Sequence, residues 1–373
     1  MELSRLRSLK ARLLAASAAV TIILVGGSYS AWNVLPAESS CRSCHEIGPA
    51  YNTWISSAHR NLVCADCHGT ATSSGLHSLR EKSRMVLVHF FGEPPEKVRL
   101  KEEQVLEVMD RCILCHRGEH ADWLRSGHSA TYASIFLNQK HNHEEKLYPD
   151  CLKCHGMFFD GTIGDLVEPL NTKGPWRLKQ IAQAKRPVIP CLACHELHSR
   201  GEPAASPDYA SPQTITATRR EAPSPLVWYD RYSDLRLRSE HIVLPPLYDG
   251  ERVVAISDDH RQRVCTQCHA PNPFSQAGTS DDRTPKGVHE GLSCLACHGA
   301  HSQETGKSCG GCHPALSNCG LDVTRMDTTS RDRGSSHNIH FVKCADCHPK
   351  GIPRSRIKAS TLPGRKPRSV SPR

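Results

Sequence analysis

Nine times the chain spells the same five-residue word, Cys-x-x-Cys-His, and no other feature limits so strongly what it can fold into. The words place two cysteines and a histidine at Cys41, Cys44, His45; Cys64, Cys67, His68; Cys112, Cys115, His116; Cys151, Cys154, His155; and Cys191, Cys194, His195. They continue at Cys265, Cys268, His269; Cys294, Cys297, His298; Cys309, Cys312, His313; and Cys344, Cys347, His348. They consume all but one of the 19 cysteines, and the remaining Cys319 reads as a buried free thiol. A thioredoxin-like redox pair needs one such word inside a βαβ pattern, not nine. Structural zinc pairs words into tetrahedral sites and does not require a histidine after each. Covalent attachment of c-type haem does require it: the thiols form thioethers to the porphyrin edge and the adjacent imidazole reaches the iron. The words therefore point to nine covalently bound c-type haems, with zinc or disulfides as the other use of these thiols.

A haem-filled interior also accounts for the composition. Apolar residues make up 38% and aromatics 5% of 373 residues, and the apolar figure includes the cysteines. That is lean for a chain this long. Porphyrins would supply the missing apolar mass, with the polypeptide wrapped thinly around them. The expected fold is mainly α and irregular loop, a haem-packed multihaem cytochrome with one N-terminal transmembrane helix and little β-sheet. The formal charge of +9, taken alone, would suggest nucleic acid. Two propionates on each of nine haems would bring it to about −9, so the basic side chains are expected to neutralise propionates, and no nucleic-acid partner is expected.

Arg5, Arg7, Lys10 and Arg12 precede an uncharged stretch from Leu13 to Leu35. Residues 1–12 then read as a cytoplasmic basic terminus and 13–35 as a span long enough for a bilayer, oriented with the bulk of the chain in the periplasm. A cleaved signal peptide is the alternative, with Ser28-Tyr29-Ser30 as a weak cleavage site. The widest gap between words divides the rest of the chain. Residues 36–120 hold three words, 121–199 hold the fourth and fifth, and 259–349 hold the last four. Between them, 200–258 reads as a haem-free linker with a hairpin near Asp249-Gly250. Residues 76–91 and 101–111 read as helices, the first amphipathic and suited either to a haem face or to the membrane surface. Residues 350–373 carry eight Lys/Arg and no acid, a disordered basic tail suited to anionic lipid or propionates.

Of 23 histidines, fourteen lie outside the words. His59, His260 and His289 stand five residues before a word and His340 four before, while His120, His198 and His301 stand three or four after a word's histidine. These seven are the expected second axial ligands, and the iron each serves can be that of a neighbouring word. His89, His128, His143 and His337 form a second rank, with His77, His141 and His241 equally explained as surface or propionate-bonding residues. Met157 is expected to pack in the core. An iron held by two imidazoles has no open position, so it exchanges electrons and binds no substrate. No word ends in lysine, and no catalytic residue is assigned.

The stretch from the anchor to about residue 120 resembles the NapC/NirT family of membrane-anchored quinol dehydrogenase cytochromes. The likeness rests on the single anchor, CRSCHEIGPAYNTWISSAHRNLVCADCH, HFFGEPPEKV and MDRCILCHRG. It implies a first haem at the membrane surface that takes electrons from quinol, with Glu81 and Lys82 nearby. The expected protein is an inner-membrane nonahaem cytochrome passing electrons from quinol to a periplasmic or outer-membrane redox protein. A multihaem reductase of a small nitrogen or sulfur species, and an exported conduit subunit released by signal cleavage, are the alternatives.

Overall fold

A Cys-x-x-Cys-His word closes into one helical turn, because residues three and four apart share a helix face. The computed structural model of the protein describes residues 2–34, 42, 47–69, 83–84, 87–92, 100–142, 146–170, 172–198, 209, 224, 226–270, 282–302, 305–306, 308–313 and 322–351. Cys41, Cys44, His45, His77, His143, Cys319, Glu81, Lys82 and nearly all of the basic tail lie outside these residues. In the described words the histidine N–H returns to the first cysteine's carbonyl, as at His116 to Cys112 (2.8 Å), His155 to Cys151 (2.8 Å) and His348 to Cys344 (2.9 Å). Both sulfurs and the imidazole thus leave the backbone on one side.

The chain divides into two compact units, Met1–His116 with Glu196–Glu202, and Arg117–His195 with Pro203–Arg373. The first unit opens with α1 (Glu2–Val34), in which Lys10–Ser30 is long and apolar enough to cross a membrane, by length and composition. Then come α2 (Gly48–Trp54), α3 (Cys64–His68) and α4 (Glu102–Cys115), the last two carrying the second and third words. Asp66 caps α3 by accepting the Val63 N–H at 3.0 Å, and Arg111 on α4 donates to the Cys67 carbonyl at 3.2 Å. The two turns that carry these words are therefore tied directly. Most of the helix expected over 76–91 falls outside the described residues; 87–91 are helical, with Leu87, Phe90 and Phe91 exposed.

The second unit is mostly short helical turns joined by loops. The fourth word is the helix α5 (Cys151–Cys154), the sixth ends α6 (Gln262–His269), the eighth is α7 (Cys309–Cys312) and the ninth is α8 (Cys344–Cys347). The fifth and seventh words begin as 3₁₀ turns, Cys191–Ala193 and Cys294–Ala296. Among the described residues, sheet is limited to three antiparallel pairs: β1 (Val167–Glu168) with β2 (Arg177–Leu178), β3 (Val227–Asp230) with β4 (Leu235–Arg238), and β5 (Tyr248–Asp249) with β6 (Arg252–Val253). A mainly helical and looped chain with little sheet is what the sequence led us to expect. The stretch read as a linker does more than join: Val227, Trp228, Tyr229, Ile242, Leu247 and Val254 are buried.

The larger side-chain core of this unit is built from Tyr132, Phe136, Leu152, Phe159, Ile163, Leu166, Val167, Trp176 and Val188. It lies directly against the fourth word, since Leu152 is the residue between Cys151 and Lys153. Gly156, just after His155, sits at φ +145°, and a Cβ there would lie 2.9 Å from the Leu152 Cδ2 and 3.1 Å from the Tyr132 ring. The chain leaves the word through a gap only glycine fits. Arg231 bridges back, donating to the Gly156 carbonyl at 2.8 Å and the Gly161 carbonyl at 2.7 Å. Phe158 stacks on Tyr229 at 4.5 Å, joining β3 to the same word. Leu152→Ala should lower the stability of the holoprotein by about 2–5 kcal/mol in a denaturant titration. A loss below about 1 kcal/mol would show that this cluster is not the support of the word.

Candidate haem sites

Among the described residues, six of the proximal histidines face a second imidazole. The ring centroids are 6.2 Å apart for His116 and His59, 6.0 Å for His68 and His198, and 6.2 Å for His269 and His128. They are 5.8 Å apart for His195 and His301, 6.2 Å for His313 and His289, and 5.9 Å for His298 and His340. Direct ring stacking does not require so uniform a spacing. Two imidazole nitrogens each about 2.0 Å from a shared metal ion, with a ring radius behind each, put the centroids about 6 Å apart. Each pair thus has the span of a six-coordinate iron, and the pairs belong to words two, three, five, six, seven and eight.

Hydrogen bonding at the far ring nitrogen supports the same use. His198 Nδ1 lies 3.0 Å from the Ala50 carbonyl, His289 Nδ1 3.1 Å from the Ile339 carbonyl, and His340 Nδ1 3.1 Å from Asn338 Oδ1. An acceptor there fixes the proton on Nδ1 and leaves the Nε2 lone pair for a metal. Burial acts in the same direction. It is the first cause that lowers the pKa of His59, His128, His269, His298 and His313. It pushes His340 down to about 4, helped by His298 and Arg283. A neutral ring is the form that can ligate.

The thiols are placed for the porphyrin edge. The sixteen described cysteines sit on the turns that carry the imidazoles. Burial raises Cys194 to about 12. Cys268 meets Cys154, and Cys265 meets Cys294, so words four, six and seven bring their sulfurs together. Such sulfur-lined, water-poor contacts suit thioethers, which carry no charge.

In none of the six pairs does the second ligand come from the same word. The segment from His289 to His301 serves three sites: its own word through His298, the eighth through His289, and the fifth through His301. Of the seven histidines picked by spacing, His59, His198, His289, His301 and His340 join a pair. Among the described residues, His120 and His260 do not. His120 stacks on Trp123 at 5.6 Å, and buried His260 holds Ser239 Oγ at 2.8 Å through Nδ1. From the second rank His128 joins; His337 Nδ1 lies 3.1 Å from the Asp327 carbonyl, and His89 packs edge-on to Phe90. His143 is outside the described residues. Met157 is buried at 1% exposure, beside the core as expected.

Residues that the sequence did not single out hold the ligands. The Lys286 N–H donates to the His340 carbonyl at 2.6 Å and Val288 N–H to the Val342 carbonyl at 3.1 Å. The chain segments carrying two second ligands, His289 and His340, thereby brace one another. Gly287, at the centre of this contact, has φ +70°, and a Cβ would come within 2.2 Å of the Val342 carbonyl oxygen. A glycine two residues before a ligating histidine is the only sequence signal for it. Arg252 on β6 clamps Glu290 at 2.6 and 2.9 Å, an exposed pair that adds orientation more than stability. Gly287→Ala should cost about 1–3 kcal/mol from backbone strain and displacement of the facing segment. An unchanged denaturation midpoint would show that the two segments do not depend on this contact.

Two protein-family models match the chain. Residues 33–204 match the MtrC/MtrF-like outer membrane cytochrome domains II/IV, and residues 249–299 match cytochrome c554 and c-prime. The first match takes in words one to five and the second words six and seven. No curated protein and no solved structure matches. Both families support reading the chain as a multihaem c-type cytochrome that carries covalently bound haem and transfers electrons.

Proposed function

We propose that the protein is a membrane-anchored nonahaem cytochrome that passes electrons from the quinol pool to a periplasmic or outer-membrane acceptor. The observation that carries this reading is the set of six imidazole pairs 5.8–6.2 Å apart. Each haem, when bound, supplies a one-electron ferric/ferrous couple. The chain's own residues do the rest. The paired cysteines would tether the porphyrin, and at the six paired words the two histidines would hold the iron between them. At those six words a small substrate would have nowhere to coordinate, which favours a conduit over a reductase there.

The two ends of the conduit rest on other observations. The span within α1 supports an inner-membrane anchor with the remainder outside the cytoplasm. The resemblance of the first 120 residues to quinol dehydrogenase cytochromes supports quinol oxidation at the trihaem module of residues 36–120. The match of residues 33–204 to outer-membrane cytochrome domains favours an acceptor on the far side of the periplasm. Export with loss of α1 would leave the same conduit free of the membrane.

The purified protein should give about nine haems per chain by the pyridine haemochrome assay, one for each word. Its oxidised electron paramagnetic resonance spectrum should be low-spin. His301→Ala and His128→Ala should each convert a single iron to the high-spin form, and His120→Ala should convert none. A haem count of zero to two, or a His301→Ala spectrum identical to that of the parent, would overturn the proposal.

A further inference from the structure

The angle between two axial imidazole planes governs how the iron d orbitals split. Near-parallel planes point their π orbitals along one direction, separate the two dπ levels and give a rhombic low-spin ferric signal. Near-perpendicular planes leave those levels almost degenerate and give a highly anisotropic signal. Parallel planes also hold the ferric state more firmly, so they lower the potential. These are ligand properties that the protein sets through the orientation of each ring.

The six pairs fall into two groups by this measure. The planes cross at 16° for His298 and His340 and at 24° for His195 and His301. They cross at 74° for His59 and His116, 70° for His68 and His198, and 81° for His289 and His313. His128 and His269, at 55°, lie between. A single side chain fixes the smallest of these angles. Asn338 Oδ1 sits 3.1 Å from His340 Nδ1 and also accepts the His340 backbone N–H at 3.0 Å. One oxygen therefore couples the ring to its own backbone. The backbone is fixed in turn, because the His340 carbonyl accepts the Lys286 N–H at 2.6 Å and the Asn338 carbonyl accepts the Phe341 N–H at 3.0 Å. The His340 ring cannot turn about its bonds without breaking the bond to Asn338.

We infer that Asn338 is a positioning residue that locks the His340 ring parallel to His298, making the seventh word's iron one of two with near-parallel ligand planes among the six pairs. The fifth word's iron is the other. The inference rests on the proposed two-histidine ligation. It goes further in sorting the irons by electronic character and naming the residue that does so for one of them. Removing the Asn338 acceptor frees the ring to rotate while leaving Nε2 available, so the haem stays bound and low-spin but its signal changes.

The test is electron paramagnetic resonance of the oxidised, fully haem-loaded protein and of two variants. The parent should show both a rhombic low-spin class and a highly anisotropic class. In Asn338→Ala, at unchanged haem content, one iron's worth of rhombic intensity should move to the anisotropic class. Asn338→Asp, which keeps the acceptor oxygen, should restore the parental spectrum. Low-spin signals of a single class in the parent would overturn this inference while leaving the electron-transfer reading intact. So would an Asn338→Ala spectrum identical to the parent's. A parent spectrum dominated by high-spin iron would instead remove the two-histidine reading itself. Should Asn338→Ala fail to assemble, the parent spectrum and Asn338→Asp still decide the matter, since Asp must keep both classes.

Discussion

The structure depends on one arrangement, two imidazoles set about one iron's span apart, which recurs at six words among the described residues. In each pair a word's own histidine stands on one side, and a histidine from outside that word stands on the other. His128 and His269, His68 and His198, and His195 and His301 are far apart in sequence, so an iron shared by each of these pairs would close a long loop. Such closures restrict the unfolded chain as disulfides do. They explain how a chain with short helices, three two-stranded sheets and modest side-chain clusters among its described residues can hold a defined fold.

The same pairs explain where the ordinary protein forces are concentrated. Hydrogen bonds and close packing appear at the points that aim a ligand. Ala50 and Ile339 carbonyls and the Asn338 amide oxygen orient three of the paired imidazoles, those of His198, His289 and His340. Gly287 lets two ligand-bearing segments approach, and Gly156 lets the chain turn away from a word into the core. Apolar packing, hydrogen-bond geometry and backbone freedom are concentrated where a paired imidazole is aimed.

The local part of this arrangement is legible in the sequence because it is short-range. A helical turn brings residues three and four apart to one face, so a Cys-x-x-Cys-His word declares its tether and first ligand at once. The apolar run of α1 and the scarcity of strand signals are read the same way. The second ligands are tertiary, and spacing ranks them imperfectly. His120 and His260 have the favoured spacing, yet the Trp123 ring and the Ser239 hydroxyl take them. His128 stands near no word and still meets His269, because a loop capped by Ser126 carries it there. The hairpin of β3 and β4, with buried Trp228 and Tyr229, was hidden in a stretch whose Pro and Ser clusters suggested a linker.

The central claim is that tetrapyrrole, bonded through the word cysteines, forms the interior. Intact-mass spectrometry of the mature protein tests it most directly. The account predicts a mass above that of the polypeptide by nine haem groups, with every word cysteine blocked to alkylation. A mass equal to the bare polypeptide, with those cysteines free to react, would contradict it.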